Sequence, residues 1–96
     1  MPEKHHKLWV PNEVAALIRT LHPHIKKKVK ASLQRILSDP NTGKSLKNEL
    51  EGLKSFRVSK FRIIYRIGKG RIVEIVAVGP RERIYEETYR LIKSGR

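Results

Sequence analysis

Side chains that can bind a phosphate group are concentrated between residues 56 and 85. A guanidinium group matches phosphate oxygens with paired hydrogen bonds, and it stabilises the negative charge that develops when phosphorus is attacked. A lysine crowded by other cations can lose its proton and act as a base, whereas an arginine stays protonated. The candidate residues are Arg57, Lys60, Arg62, Arg66, Arg81, Arg83 and Tyr85. Their types predict contact with a nucleic-acid phosphate, for binding or for catalysis.

Each of these arginines could also be an ordinary solvent-exposed charge with no functional role, and this explanation fits some of them better than others. Arg62 interrupts an apolar run and Arg81 abuts another, so a solvated face explains these two poorly. Arg66 and Arg71 flank a predicted hairpin turn, and edge strands commonly carry charge. For Arg66 and Arg71, a solvated face and a phosphate contact are equal explanations.

Other kinds of catalytic or metal site find little support. His5 and His6 are adjacent, and His22 and His24 flank a proline, but no carboxylate or thiolate ligand accompanies them at metal-site spacing. The triplet 68–70 is glycine-rich, yet it lacks the P-loop spacing and lies between two strand-like runs. No serine, histidine and aspartate set and no carboxylate pair stands out. We therefore expect no metal and no cofactor.

Three strand-like runs position the basic residues. The runs 56–58, 61–67 and 72–78 are rich in β-branched and aromatic residues, and short turns at 59–60 and 68–71 separate them. This pattern predicts a three-stranded antiparallel meander. Because several arginines alternate with apolar residues, one face is predicted to be basic and the other apolar.

The remaining chain predicts helices that cover this sheet. Residues 7–10 predict an extra edge strand, and Asn12 is the predicted N-cap of a first helix over 12–21. A second helix is predicted from Pro23 to about residue 39, antiparallel to the first. Turn residues follow at 39–43, then one helical turn among Leu46, Leu50 and Leu53, and finally a helix over 82–93. The prediction is a single α+β domain over residues 1–96.

Composition limits the class of partner and compartment. The 96 residues include 22 lysines and arginines against 9 acidic residues, for a formal net charge of +13, and no cysteine. Such an excess favours a polyanion, either nucleic acid or an acidic protein segment, over a membrane surface. No run approaches the roughly 20 apolar residues of a membrane span. We expect a soluble cytoplasmic protein.

The segment 50–85, LEGLKSFRVSKFRIIYRIGKGRIVEIVAVGPRERIY, resembles the signature of the RelE/ParE superfamily of toxins from type II toxin–antitoxin modules. That signature runs roughly leucine-x-glycine, LRVGDYRVIY, a hairpin, then VGHRREVY. The resemblance extends to the leading strand and helix pair, and it implies the RelE/ParE fold over nearly the full chain.

Two activities follow from the resemblance. The RelE branch cleaves messenger RNA in the ribosomal A site through attack by a 2′-hydroxyl group, and the ParE branch poisons DNA gyrase on the same scaffold. The density of basic residues favours the RelE-like activity, with ribosome, messenger RNA and a cognate antitoxin as partners. A gyrase inhibitor is the alternative, and a non-toxic nucleic-acid-binding module is a third reading.

The resemblance also implies roles for individual residues. Arg62 and Arg81 match the arginines that bind the scissile phosphate, and Tyr85 matches the tyrosine that orients or deprotonates the nucleophile. Arg57 and Lys60 occupy the strand and turn where RelE-like members place lysines. The chain departs from the pattern at Pro80, where the signature has histidine. Lys60 and Tyr85 are then the candidate proton acceptors.

Overall fold

The computed structural model describes residues 6–94. Five strands and three α-helices follow in the order βααββββα. The helices are α1 Asn12–Thr20, α2 Pro23–Ser38 and α3 Ile84–Lys93, and the strands are β1 Lys7–Trp9, β2 Lys44–Ser45, β3 Lys54–Val58, β4 Phe61–Gly68 and β5 Ile72–Pro80. The predicted α+β class is confirmed. Within residues 6–94, no helix is both long enough and apolar enough to cross a membrane.

The strands form one mixed sheet in the order β1-β5-β4-β3-β2. Strands β3, β4 and β5 are the predicted antiparallel meander, and β1 is the predicted edge strand, which pairs in parallel with β5. The two-residue strand β2 was not predicted, and it lies between the turn expected at 39–43 and the helical turn expected from Leu46. The helical turn expected before β3 is a short 3₁₀ turn at Asn48–Leu50.

Helices α1 and α2 cover the first face of the sheet. Their apolar stripes meet inward-facing strand residues, and Val29 and Ile36 of α2 are fully buried together with Ile63 of β4. Helix α2 starts where Pro23 fixes the first turn and the His22 imidazole accepts a hydrogen bond from the His24 amide. The predicted N-cap of α1 is wrong by one residue. Pro11 holds that position, and its carbonyl accepts the Ala15 N–H at 2.9 Å.

The second face is not purely basic, contrary to the sequence prediction. Helix α3 packs on its centre and buries a small apolar cluster of Leu53, Ile64, Ala77 and Ile84. The register shifts by one residue between Ile64 and its neighbour Tyr65, and this bulge leaves Val76 as an extra residue in β5. Charged side chains therefore lie at the two ends of this face, on either side of the apolar cluster.

Candidate active site

Arg57 and Arg62 form a pair at one end of the second face. They lie directly opposite each other in the antiparallel ladder between β3 and β4, and the next residue across the sheet is Gly79 in β5. Opposed residues on one face place their Cβ atoms about 5 Å apart, a separation at which two like charges repel. An anion bound between the two guanidinium groups would relieve that repulsion.

Within residues 6–94, Arg62 has no neutralising partner. Its side chain is partly buried, and its Nε atom is buried without a hydrogen-bond acceptor. The ion pairs observed within residues 6–94 involve other arginines, Arg66 and Arg90. An unsatisfied buried donor costs about 1–3 kcal/mol, so this arginine is maintained at a cost to stability. Such a cost is typical of a residue retained for binding.

Two further cations lie at the same end of the sheet. The Arg81 amide donates to the Lys60 carbonyl at 2.9 Å, which joins the chain after β5 to the turn between β3 and β4. Both side chains are exposed. Arg83 is exposed too and closes a turn on the Pro80 carbonyl at 3.1 Å. This turn separates β5 from α3, so α3 begins at Ile84 and not at residue 82 as predicted.

Tyr85 approaches the arginine pair from helix α3. It is the second residue of that helix, and its hydroxyl lies 3.0 Å from the Ser55 Oγ atom. Ser55 is 2% exposed and precedes Arg57 by two residues on the same face. Two residues span about 7 Å along a strand. The structure thus places the Tyr85 hydroxyl at Ser55, two residues along β3 from the pair of Arg57 and Arg62 and on the same face.

Arg66 lies apart from this cluster. It shares the face but follows Arg62 by four residues on β4, about 13 Å along the strand. Its Nε atom bonds the Glu74 Oε1 atom at 2.8 Å.

We name the group of Arg57, Lys60, Arg62, Arg81 and Tyr85 the arginine cluster, and Arg66 is outside it.

Ser55 is the member of the site that the sequence did not predict. A serine within a strand is an unremarkable feature of a sequence, and its contact with Tyr85 joins residues that are 30 positions apart. The available signal was its two-residue spacing from Arg57. The histidines form no comparable cluster. His5 lies outside the described residues, and between residues 6 and 94 no group of three or more potential metal ligands occurs.

Comparison with known proteins identifies the family. The family model for the ParE toxin of the type II toxin–antitoxin system, parDE, matches residues 12–85, more than half of the chain. No curated protein matches the sequence. The match includes both N-terminal helices, the meander and the whole arginine cluster.

Solved structures agree at the level of the fold. The RelBE2 toxin–antitoxin complex from Mycobacterium tuberculosis is 26% identical with a TM-score of 0.70, over 80% of this chain and 99% of that chain. A mutant of the E. coli toxin RelE in the free state is 20% identical with a TM-score of 0.71, over 92% of this chain and 98% of that chain. The RelE–RelB complex from Pyrococcus horikoshii is 16% identical with a TM-score of 0.66, over 81% and 97%. The chain belongs to the ParE toxin family of the RelE/ParE superfamily, and it is a toxin of a type II toxin–antitoxin system.

Proposed function

We propose that this toxin is a ribosome-dependent endoribonuclease that cleaves messenger RNA in the A site. The observation that supports this most directly is the arginine cluster itself. Within residues 6–94, the opposed pair Arg57 and Arg62 has no carboxylate partner, and the Tyr85 hydroxyl bonds Ser55, two residues along β3 from Arg57. Phosphoryl chemistry needs guanidinium groups that bind the phosphate and a hydroxyl near them, whereas a surface that only binds protein does not need this combination.

The proposed reaction is an internal transesterification. The 2′-oxygen of the RNA attacks the adjacent phosphorus, a bond forms between them, and the bond from phosphorus to the 5′-oxygen breaks. The products are a 2′,3′-cyclic phosphate and a 5′-hydroxyl end. One proton leaves the 2′-hydroxyl and one joins the 5′-oxygen, so no water or cofactor is consumed.

Each residue of the cluster has a proposed part in this reaction. Arg57 and Arg62 bind the non-bridging phosphate oxygens and stabilise the charge that grows on them in the transition state. Arg81 contributes a third guanidinium group from the end of β5. Because arginine stays protonated, proton transfer falls to Lys60 and Tyr85. Tyr85 orients the 2′-hydroxyl.

The proposed partners follow from the charge and from the structural comparisons. RelBE2 and the Pyrococcus horikoshii protein are toxin–antitoxin complexes. A net charge of +13 suits an antitoxin whose acidic segment covers the arginine cluster. Ribosome and messenger RNA are the proposed targets, and both place the protein in the cytoplasm. Arg83, and Arg66 outside the cluster, are proposed to contact RNA without taking part in cleavage.

Primer extension on translating ribosomes tests the activity. We expect the parent protein to produce new messenger RNA ends, and Arg62→Ala to reduce cleavage by about 100-fold or more, as loss of a transition-state donor does. Arg57→Ala, at an exposed site that the fold does not need, is expected to reduce it too. Arg66→Ala is the matched control, because it removes the same charge from the same strand and face.

Two results would contradict the proposal. One is the absence of new ends with the parent protein, and the other is equal loss in Arg62→Ala and Arg66→Ala, which would attribute the effect to total charge.

Inhibition of DNA gyrase is the second candidate function. The matched family model is that of the ParE toxin, and the ParE branch uses this scaffold against gyrase. A supercoiling assay with purified gyrase separates the two. Loss of supercoiling without messenger RNA cleavage would establish the gyrase activity and remove the nuclease proposal.

A further inference from the structure

Besides the Tyr65 hydroxyl, two polar side chains are buried among the described residues, and only one of the two reaches the site. Thr88 is fully buried, and its hydroxyl donates to the Ile84 carbonyl one turn earlier in α3 at 2.7 Å. That bond lies within the helix and concerns the helix alone. Ser55 is 2% exposed, and its bond runs to the Tyr85 hydroxyl on another element.

We infer that Ser55 is a positioning residue for the reaction, which fixes the Tyr85 hydroxyl beside the arginine pair. This inference rests on the proposed function and adds to it a residue that acts through Tyr85. Ser55 is a rigid support, because its backbone is paired on both sides, with Lys44 of β2 and with Ile64 of β4. Its side chain is also 2% exposed and therefore has little room for movement beyond rotation of the hydroxyl.

Tyr85 needs such a support because of where it lies. It sits in the first turn of α3, directly after the exposed turn that carries Arg81 and Arg83. The buried Ile84 anchors the start of the helix in the apolar cluster, and the Tyr85 ring packs against that cluster, but an apolar contact does not fix the position of the hydroxyl group. The bond to Ser55 is the contact that holds the ring's polar end against the sheet.

The hydrogen-bonding capacity of the two hydroxyl groups leaves Tyr85 free to act. A tyrosine hydroxyl has one donor and can also accept. If Ser55 donates, the tyrosine hydrogen remains available for the substrate, and if Ser55 accepts, the tyrosine oxygen remains available to accept from the 2′-hydroxyl. Either arrangement uses one function of Tyr85 for position and leaves the other for RNA.

Ser55 supports Tyr85 but does not carry a proton away. Its hydroxyl makes no hydrogen bond to any other described residue, so residues 6–94 provide no further group to which Ser55 could pass a proton. The role is therefore one of orientation. Orientation of this kind is worth a great deal, since misplacement of a reacting group by about 1 Å can cost about 100-fold in rate.

The test measures cleavage on ribosomes for Ser55→Ala, Tyr85→Phe, the double variant and Ser55→Thr. We expect Ser55→Ala to lower the rate at saturating ribosomes by about 10-fold and to leave the half-saturating concentration unchanged, because positioning affects the chemical step. In the Tyr85→Phe background, the same change should cost less than about 2-fold, since contacting residues are not additive. Ser55→Thr keeps the hydroxyl and should restore most of the rate.

Thr88→Val is the structural control, because it removes a buried hydroxyl from α3, the helix that carries Tyr85. It should lower the urea midpoint and leave the cleavage rate unchanged. A parental cleavage rate in Ser55→Ala would overturn the inference. An equal loss of rate from Ser55→Ala in the parent and in Tyr85→Phe would also overturn it, and so would a failure of Ser55→Thr to recover activity. If the parent protein itself does not cleave, the proposed function fails and this inference fails with it.

Discussion

The Tyr65 side chain connects the end of α2 to the sheet. It is fully buried in β4, and its hydroxyl donates to the Pro40 carbonyl at 2.7 Å and accepts from the Gly43 amide at 2.9 Å. A Cβ atom on residue 43 would overlap the tyrosine hydroxyl, so only glycine fits there. Burial raises the pKa of Tyr65 above 10.0, the Gly43 bond opposes this, and the charge of Asp39 adds to it.

Tyr65→Phe should destabilise the protein by about 1–3 kcal/mol, because it leaves buried polar groups of the backbone unpaired. The difference from the parent should also depend on pH. Because the folded pKa is raised, the stabilisation is fully present below the unfolded value of 10.0 and is lost as pH rises above it. Urea unfolding between pH 8 and pH 11 measures both effects.

Tyr89→Phe provides the control for this experiment, because it makes the same chemical change at a tyrosine that is 37% exposed. It should change stability little at any of these pH values. A difference between parent and Tyr65→Phe that grows above pH 10 would contradict the assigned direction.

The arginine pair was predictable from sequence, and its serine support was not. A two-residue turn at Ser59 and Lys60 places the residues on either side of it opposite each other, so Arg57 must meet Arg62 once the hairpin forms. That relation is local. The contact between Ser55 and Tyr85 depends on the angle at which α3 returns to the sheet, which no local pattern specifies.

Among the secondary-structure elements, α3 depends on a close approach to β5 at Gly79. A Cβ atom there would lie 3.0 Å from the Ile84 Cδ1 atom and 3.6 Å from the Glu87 Oε1 atom. Ile84 is 1% exposed within the apolar cluster, so it has no space into which it can move. The absence of a side chain at residue 79 is therefore what lets α3 bring Tyr85 to the site.

Gly79→Ala should lower both stability and cleavage. Overpacking a full core costs about 1–3 kcal/mol, which exceeds the gain of about 0.4–1 kcal/mol from a stiffer unfolded chain. Displacement of Ile84 would also move Tyr85, the next residue. Thermal unfolding and ribosome cleavage measure the two effects. Gly68→Ala is the control, because its Cβ would meet only the Ile72 carbonyl at an ordinary 3.6 Å, and an equal loss there would refute the argument.

The elements with strong periodicity were predicted well, and the short ones were not. The meander and both N-terminal helices follow from apolar spacing over many residues. Strand β2 has two residues, Lys44 and Ser45, and it forms because β3 offers an edge and not because of its own composition. The start of α3 was predicted two residues early because nothing in the composition of residues 81–83 excludes them from a helix. Their turn is stabilised by backbone hydrogen bonds to Lys60 and Pro80, which the sequence does not reveal.

For the entire chain, the dominant feature is the excess of positive charge, which exceeds the number of acidic residues that could pair with it. With 22 basic and 9 acidic residues, most cations have no acidic partner available. Among the described residues, Arg66 pairs with Glu74 and Arg90 pairs with Glu86 at the surface, where such pairs contribute about 0–1 kcal/mol. Helix α2 has no acidic residue over its 16 positions. The folded state therefore brings like charges together without compensation.

Salt should consequently act in opposite directions on folding and on RNA binding. Screening reduces self-repulsion and should raise the unfolding temperature between 50 and 200 mM salt, since the Debye length is about 10 Å at 0.1 M. The same increase should weaken binding to RNA, because releasing counterions into a more concentrated salt solution gains less entropy. A variant with Lys27→Gln and Lys30→Gln, two exposed lysines on α2, should unfold at a higher temperature in low salt and respond less to added salt. If added salt instead lowered the unfolding temperature of the parent, attraction within surface ion pairs would outweigh repulsion among the cations. The conclusion that unpaired positive charge destabilises the free protein would then be wrong.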